Sequence, residues 1–416
     1  MAAVSKQSVS CVIVGGGPAG LMLGLLLARA GVPVAVLEKY PDFLRDFRGD
    51  TVHASTLGLL DELGLGDRFA ALPQQRVQRL VMDFDDGSLT EDFSRLPGRH
   101  QHIALVPQWD LLNLLAETAC AETTFDLAQN AEVDDLLWSD GRVRGVRYLD
   151  KDTGRHHHLE ADLVVATDGR HSTVRRLLGL RPRTSAAPHD CLYIRIPRLP
   201  GDPETTTLRF SGSGGLILIN RGDYWQAALL IDKGAADAVR ADDGAWVRRT
   251  VARLAPFLAA RAADIHTGDI AALEVRIDRL RRWWTPGALL IGDAAHAMSP
   301  IAGVGINLAV QDAVAAARIL APALREGRLR DRDLARVQRR RYRPAMLTQL
   351  AQRRAQRNFL AAPSIEGSET IAPLRLPQPL RALRHWSGLP HLFGRLVAFG
   401  VRPEHLTGSL KPLRRA

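Results

Sequence analysis

Hydrophobic and polar positions alternate in recognisable rhythms along this chain. Cys11 to Val14 is an unbroken apolar run ending in glycines, the pattern of a strand buried on both faces. Pro18 to Arg29 then reads as a helix with Gly31 as its C-terminal stop, and Val32 to Leu37 as a second strand closing on Glu38. Together they make a βαβ unit of about thirty residues, whose crossover should be right-handed. Further on, Thr56 to Leu63 is helical and Leu80 to Phe93 holds an Asp-Asp-Gly turn between short strands. Leu111 to Ala121 is an amphipathic helix, and Val143 to Tyr148 and His157 to Ala166 are β-rich up to Thr167-Asp168-Gly169.

The character changes after about residue 190. Leu192 to Ile196, Thr207 to Phe210, Leu216 to Ile219 and Trp225 to Ile231 have the spacing of antiparallel strands with turn residues between them, and predict a second domain. Leu289 to Ile291, followed by Gly292-Asp293, returns to the buried parallel style. From about residue 328 the chain is helical and arginine-rich to about Leu360, with a proline-punctuated tail. No internal repeat or low-complexity tract interrupts this plan.

Composition narrows the classes. The chain has 416 residues, 46% hydrophobic and 24% charged, which excludes a collagen-like, wholly disordered or disulfide-scaffolded protein. Its three cysteines (Cys11, Cys120, Cys191) are far apart, with neither a disulfide framework nor zinc spacing. The formal charge is +10, yet only five of the 55 cations are lysine and aromatics total 6%, so the basic excess carries no nucleic-acid signature. Glycines interrupt the apolar N-terminal stretch, and Leu21 to Ala30 is too short to span a bilayer. The expectation is a soluble, cytoplasmic protein without an integral membrane segment.

The chemistry concentrates in three segments. Gly15-x-Gly17-x-x-Gly20 follows a strand and opens a helix, so its backbone can approach a pyrophosphate at the helix N-terminus. Glu38 stands 18 residues after Gly20, where a carboxylate accepts both hydroxyls of an adenosine ribose. The motif predicts a dinucleotide without choosing between NAD and FAD. The other two segments are Asp168-Gly169-Arg170-x-Ser172-x-x-Arg175, and Gly292-Asp293-Ala294-Ala295-His296-x-x-x-Pro300, each placed after an apolar strand.

In this order the three motifs resemble those of the group A flavoprotein monooxygenases, the family with the para-hydroxybenzoate hydroxylase fold, over residues 10 to 320. The resemblance implies an α/β fold. A three-layer Rossmann-type FAD-binding domain (1–75, 103–180 and 269–327) would carry an inserted antiparallel-sheet substrate domain (76–102 and 181–268) and a helical C-terminal region (328–416). It implies tightly bound, non-covalent FAD held by Gly15, Gly17, Ala19, Gly20, Glu38, Lys39, Arg48, Gln108, Val133, Asp168, Gly292 and Asp293. The segment Gly303, Gly305, Ile306 and Asn307 would open a helix towards the flavin pyrimidine ring, and Pro300 would stand at the reactive flavin edge. Ala302 occupies a position where many relatives carry glycine, and Ala54 one where proline is frequent.

The implied activity is that of a monooxygenase: NADPH or NADH binds transiently and reduces the flavin, dioxygen adds at C4a, and the hydroperoxide hydroxylates or epoxidises an aromatic or polycyclic molecule. Candidate substrate contacts, chosen by strand position, are Tyr193, Arg195, Phe210, Tyr224 and Arg276. A flavin-dependent halogenase or double-bond reductase of the same fold is the alternative, although the halogenase Trp-x-Trp-x-Ile-Pro segment is absent. Four other features read as ordinary structure. His296 packs or hydrogen-bonds, His156 to His158 form an exposed turn, Arg281 to Trp284 lie on the surface, and Arg339 to Arg341 and Arg353-Arg354 form a solvated helix face.

Overall fold

The computed structural model describes residues 8–44, 51–185, 187–212, 214–359, 373–375 and 390–410. The first βαβ unit is β1 (Ser8–Val14), α1 (Pro18–Arg29) and β2 (Val34–Leu37), with Pro18 at the first helical position. There follow β3 (Thr51–Val52), α2 (Ala54–Glu62), α3 (Gly66–Ala70), β4 (Gln75–Val77), β5 (Arg79–Phe84), β6 (Gly87–Asp92) and β7 (Ile103–Leu105). Then come α4 (Gln108–Cys120), β8 (Phe125–Ala128), β9 (Ala131–Ser139), β10 (Arg142–Asp150), β11 (Arg155–Ala166), α5 (Thr173–Leu177), β12 (Arg183–Ser185) and β13 (His189–Pro197). The middle of the chain supplies β14 (Thr207–Ser211), β15 (Gly214–Asn220), β16 (Tyr224–Asp232), α6 (Ala236–Ala241), α7 (Ala245–Leu254), α8 (Ala259–Ala262), β17 (Ile270–Leu273) and β18 (Ile277–Arg279). The last elements are β19 (Trp284–Thr285), β20 (Ala288–Leu290), α9 (Asp293–His296), α10 (Gly305–Arg325), α11 (Asp331–Phe359) and α12 (Pro390–Phe399).

Two sheets organise the molecule. In the first, β20, β11, β1, β2 and β8 run parallel in that order, while β9, β10 and β11 form an antiparallel meander. The chain leaves β1 towards β2 on one side and returns as β11 on the other. The carboxyl ends of β1 and β11 therefore flank a crevice, the usual ligand position in such sheets. Helix α1 packs on α4 and α10, and Gly24 permits its close approach to the sheet, because a Cβ there would stand 2.7 Å from the Phe125 ring. Helix α10 is long and apolar enough to cross a membrane, but most of it is buried in this core.

The second sheet runs β17-β13-β16-β15-β14-β5-β6 and is antiparallel except for β14 with β5. It recruits β17, beyond the boundary at residue 268 expected from sequence, because Ile270 to Leu273 pairs with β13. One face packs through Leu192, Ile194, Trp225 and Leu229 against α6 to α8. The other carries Phe84, Cys191, Tyr193 and Phe210, with Ile277 of β18 and Ile301 packed against them.

Three surface readings are corrected here. Trp283 is fully buried, with ring centroids 4.8 Å from His296 and 6.0 Å from Tyr342. Its hydrophobic payload outweighs the arginines before it. His156 to His158 lie inside β11 rather than in a turn, with His157 stacked on Tyr148, since the turn falls at the preceding Asp-Thr-Gly. Arg341 is 1% exposed, for reasons that belong to the site below.

Candidate functional site

The crevice begins at the glycine-rich turn. Gly15 adopts φ +104°, and a Cβ there would press within 2.8 Å of the Thr167 carbonyl oxygen. At Gly20 a Cβ would overlap the Gly15 carbonyl oxygen, whereas Gly17 faces open space. Thr167 Oγ1 donates to the Gly15 carbonyl at 2.7 Å, tying the end of β11 to the turn. The first-turn amides of α1, including those of Ala19 and Gly20, have no carbonyl within the helix to meet and face the crevice end of the sheet. Glu38 is 6% exposed; its carboxylate accepts the Gly16 N–H at 2.7 Å and the Tyr40 N–H at 3.2 Å, which fixes it under the turn. Lys39 is exposed beside the Tyr40 ring, Val133 is buried on β9, and Gln108 opens α4. Arg48 lies outside the described residues.

The second and third motifs meet in space. Ser172 caps α5 by accepting the Arg175 N–H at 2.9 Å, and Asp168 accepts the Val174 N–H at 3.1 Å. Burial pushes the Asp168 carboxyl up from its ordinary range, against those hydrogen bonds. Arg170 Nε donates to Asp293 Oδ2 at 3.0 Å, and Arg175 Nη1 to the Ala294 carbonyl at 3.0 Å. Arg170 Nη1 and Asp168 Oδ1 are buried with no partner in the protein. A donor and an acceptor are thus left unsatisfied beside the same two motifs, and a polar ligand would relieve the cost.

Beyond Gly292, which has φ +60°, the chain passes through α9 to the turn at Pro300 and then into α10. Gly303 has φ +61°, and a Cβ there would meet Thr51 Oγ1 at 2.5 Å. Ala302 also adopts φ +62°, a left-handed conformation uncommon outside glycine. Gly305 faces open space and Ile306 is buried. The side chain of Asn307, expected at the cofactor, is turned into the protein instead. Its Oδ1 accepts the His53 N–H at 2.9 Å and Thr56 Oγ1 at 2.6 Å, and its Nδ2 donates to the Thr51 carbonyl at 3.3 Å. It fastens α10 to the β3–α2 segment, and leaves backbone amides as that helix's offer to a ligand.

Sequence reasoning passed over two groups here. His53 is fully buried and donates from Nε2 to the Ala302 carbonyl at 3.0 Å; burial lowers its pKa to about 4, so the ring is neutral. Asp312, inside α10, accepts the Gly292 N–H at 3.1 Å, His296 Nε2 at 2.5 Å and Arg341 Nε at 2.8 Å. Burial favours its neutral form, yet His296 and Arg341 outweigh that and hold the carboxyl below its ordinary range. Arg341 reaches on to Glu404, which also pairs with Arg340 and with Arg318 at 2.7 Å. The supposed solvated arginine face is therefore partly an internal ion network, anchored on the backbone of the Gly292-Asp293 motif. The signal was present, since Asp312 is the lone ionisable residue in the apolar run from Ile306 to Ala317.

The structure divides the substrate candidates. Tyr193 and Phe210 share the inner sheet face with Ile301 of the Pro300 turn, and the Phe210 ring is 5.6 Å from Phe84. Arg195 and Tyr224 instead stack on each other at 4.0 Å, with Arg195 exposed and paired to Asp223 at 3.5 Å. Arg276 is half-buried between β17 and β18, within electrostatic reach of Asp278.

This geometry can be set beside known proteins. The family model described as an FAD binding domain matches residues 8–351. The chain belongs to the FAD-binding monooxygenase family. The 6-methylpretetramide 4-monooxygenase of Streptomyces rimosus is 34% identical to this monooxygenase over 330 residues, covering 77% of each chain. The rifampicin monooxygenase of Streptomyces venezuelae is 30% identical over 318 residues, and there the match spans 73% of this chain and 62% of that longer protein. Among solved structures, p-nitrophenol 4-monooxygenase PnpA from Pseudomonas putida has the same fold, with a TM-score of 0.74 at 20% identity over 94% of both chains.

The residues present fit FAD. Gly15 and Gly20 allow the tight turn that their own backbone contacts require, Gly17 leaves open space at the N-terminus of α1 for a pyrophosphate, and the unpaired Arg170 and Asp168 atoms offer a donor and an acceptor. This flavoprotein is an FAD-dependent monooxygenase.

Proposed function

We propose that this monooxygenase uses NAD(P)H and dioxygen to hydroxylate or epoxidise an aromatic or polycyclic small molecule of polyketide type. The observation that carries the reading is the apolar, aromatic inner face of the second sheet, where Phe84, Phe210 and Tyr193 pack around Ile301 of the Pro300 turn. Such a surface suits a flat, largely apolar substrate. The names of the relatives support it: 6-methylpretetramide and rifampicin are what those proteins are named for.

Flavin, when bound, would relay the reducing equivalents of NAD(P)H and activate dioxygen. The chain's part is to bind, orient and exclude water. Glu38 and the Gly15–Gly20 turn hold the adenosine and pyrophosphate end, with Arg170 and Asp293 further along. The opening of α10 offers unpaired amides and a positive dipole end, which suits negative charge on a reduced flavin ring. Phe210 and Tyr193 present the substrate, while the buried Cys191 on the same face stays a neutral thiol, its pKa pushed up to about 12 by burial. We place the enzyme in the cytoplasm, in keeping with three cysteines that form no disulfide.

The test is NADPH and NADH oxidation in air by the purified flavoprotein, with a panel of phenols, quinones and aromatic polyketides. Oxygen-dependent, substrate-stimulated oxidation with an oxygenated product supports the proposal. Substrate reduction that proceeds without oxygen would overturn it in favour of a reductase.

A further inference from the structure

The segment from Ala297 to Val304 joins the Gly-Asp motif to α10, and much of its shape is imposed by side chains from elsewhere. Gln349 Nε2 donates to the Ala297 carbonyl at 2.9 Å and the Asp278 carbonyl at 2.8 Å. Gln352 Nε2 donates to the carbonyls of Ser299 and Ile301, both at 2.9 Å. Gln356 Nε2 donates to Ser299 Oγ at 3.1 Å. Spacings of three and four put the three glutamines on one stripe of α11, and all are buried. Carbonyls only accept, so the orientations of the Gln349 and Gln352 amides are fixed by their partners.

We propose that Gln349, Gln352 and Gln356 are positioning residues that set the flavin-edge turn. With His53 on the Ala302 carbonyl, they hold the carbonyls of residues 297, 299, 301 and 302. An amide that bonds two carbonyls fixes their separation as well as satisfying them, so Gln352 sets the pitch of the backbone across Pro300. Preorganisation of this kind, from a neighbouring helix, determines how closely a turn meets its ligand. The inference rests on reading the Pro300 turn as a wall of the flavin site. It adds that the wall is held from α11, which the first domain alone does not supply.

The same helix contains its own control. Gln338 Nε2 donates to the Arg281 carbonyl at 2.8 Å and its Oε1 accepts the Trp283 N–H at 3.0 Å, equivalent chemistry at another segment. Holoenzymes carrying Gln352→Met, Gln338→Met and Pro300→Ala are compared with wild type by visible circular dichroism of the bound flavin and by FAD dissociation constant. The expected result is an altered flavin spectrum and about tenfold weaker FAD binding in Gln352→Met, the size of one lost preorganised contact, with Gln338→Met unchanged and Pro300→Ala altered. If Pro300→Ala shifts the spectrum and Gln352→Met does not, the glutamine assignment falls and the turn reading stands. If Pro300→Ala leaves the spectrum untouched, the turn reading falls and the inference with it. Equal shifts in Gln352→Met and Gln338→Met would mean general loosening of α11 and would overturn the proposal. Should Gln352→Met fail to fold, Gln356→Met, which loses one bond, takes its place under the same criteria.

Discussion

Asp312 offers the sharpest quantitative test of how the C-terminal helices support the site. Its carboxylate accepts from the Gly292 N–H, His296 Nε2 and Arg341 Nε, and neither it nor Arg341 has meaningful contact with water. Asp312→Asn keeps the shape but turns an amide N–H₂ towards groups that all donate. Asp312→Leu removes every acceptor. A hydrogen bond to a charged group contributes roughly 1.5–3 kcal/mol, and breaking a buried ion pair by removing one partner costs roughly 3–5 kcal/mol. The loss should sit in that second range rather than at three full hydrogen bonds, because Arg341 keeps Glu404 and the Arg402 carbonyl. Arg341→Met alone should cost a similar amount by stranding Asp312.

The decisive measurement is the double variant Asp312→Leu with Arg341→Met. Two apolar side chains then meet where two charges met, and Glu404 still has Arg318 and Arg340. Urea denaturation at fixed, saturating FAD should show the double variant at least about 2 kcal/mol less damaged than the sum of the single ones. Strict additivity, or single variants costing under about 1 kcal/mol, would refute the view that these groups form one buried network.

Three further outcomes are expected. The His53 ring binds a proton near 6.5 when unfolded and near 4 when folded, so its contribution to stability is complete above pH 6.5 and declines as pH falls. His53→Gln should lose about 2 kcal/mol less than wild type between pH 7 and pH 5; measuring this as a difference cancels His102, also lowered, and Glu91, raised to about 7. Ala302→Gly should raise stability by about 0.5 kcal/mol, the left-handed penalty less the entropy glycine adds to the unfolded chain; a lower melting temperature would count against a strained turn. Glu38→Ala should weaken FAD binding about tenfold or more, and an unaltered dissociation constant would remove Glu38 from the adenosine site.

Legibility in the sequence followed the kind of contact involved. Gly15, Gly20, Glu38 and Asp293 could be picked out because their chemistry is local: a turn without room for a Cβ, or a carboxylate at a strand end. The strands of the second sheet were readable for the same reason, through alternation that the pairing requires. Burial by distant partners was not readable. Arg281-Arg282-Trp283-Trp284 looks like a surface run, yet the Trp283 ring lies against His296 and Tyr342 while the Trp283 backbone N–H is met by Gln338. Arg339 to Arg341 looks solvated because consecutive helical residues point about 100° apart, so a run of three tells nothing about the one that turns inward. Asn307 has the spacing of a cofactor contact, but only the fold shows Thr51, His53 and Thr56 within reach of its amide.

The same distinction says what the C-terminal helices are for. The cofactor motifs arise from strand ends and need only the first sheet to come together. The wall across from them is a stretch of turn whose carbonyls at Ala297, Ser299 and Ile301, covered by α11, take side-chain donors from it. Asp312 would likewise be left with His296 and a backbone amide in place of its arginine. The family match stops at residue 351, while Gln352, Gln356 and Glu404, which complete these contacts, lie past it. Physical dependence therefore runs past the matched span. Helix α11 and Glu404 are tied to the segments proposed to shape the flavin site, and substitutions in that arginine- and glutamine-rich helix should be read first as changes to that site.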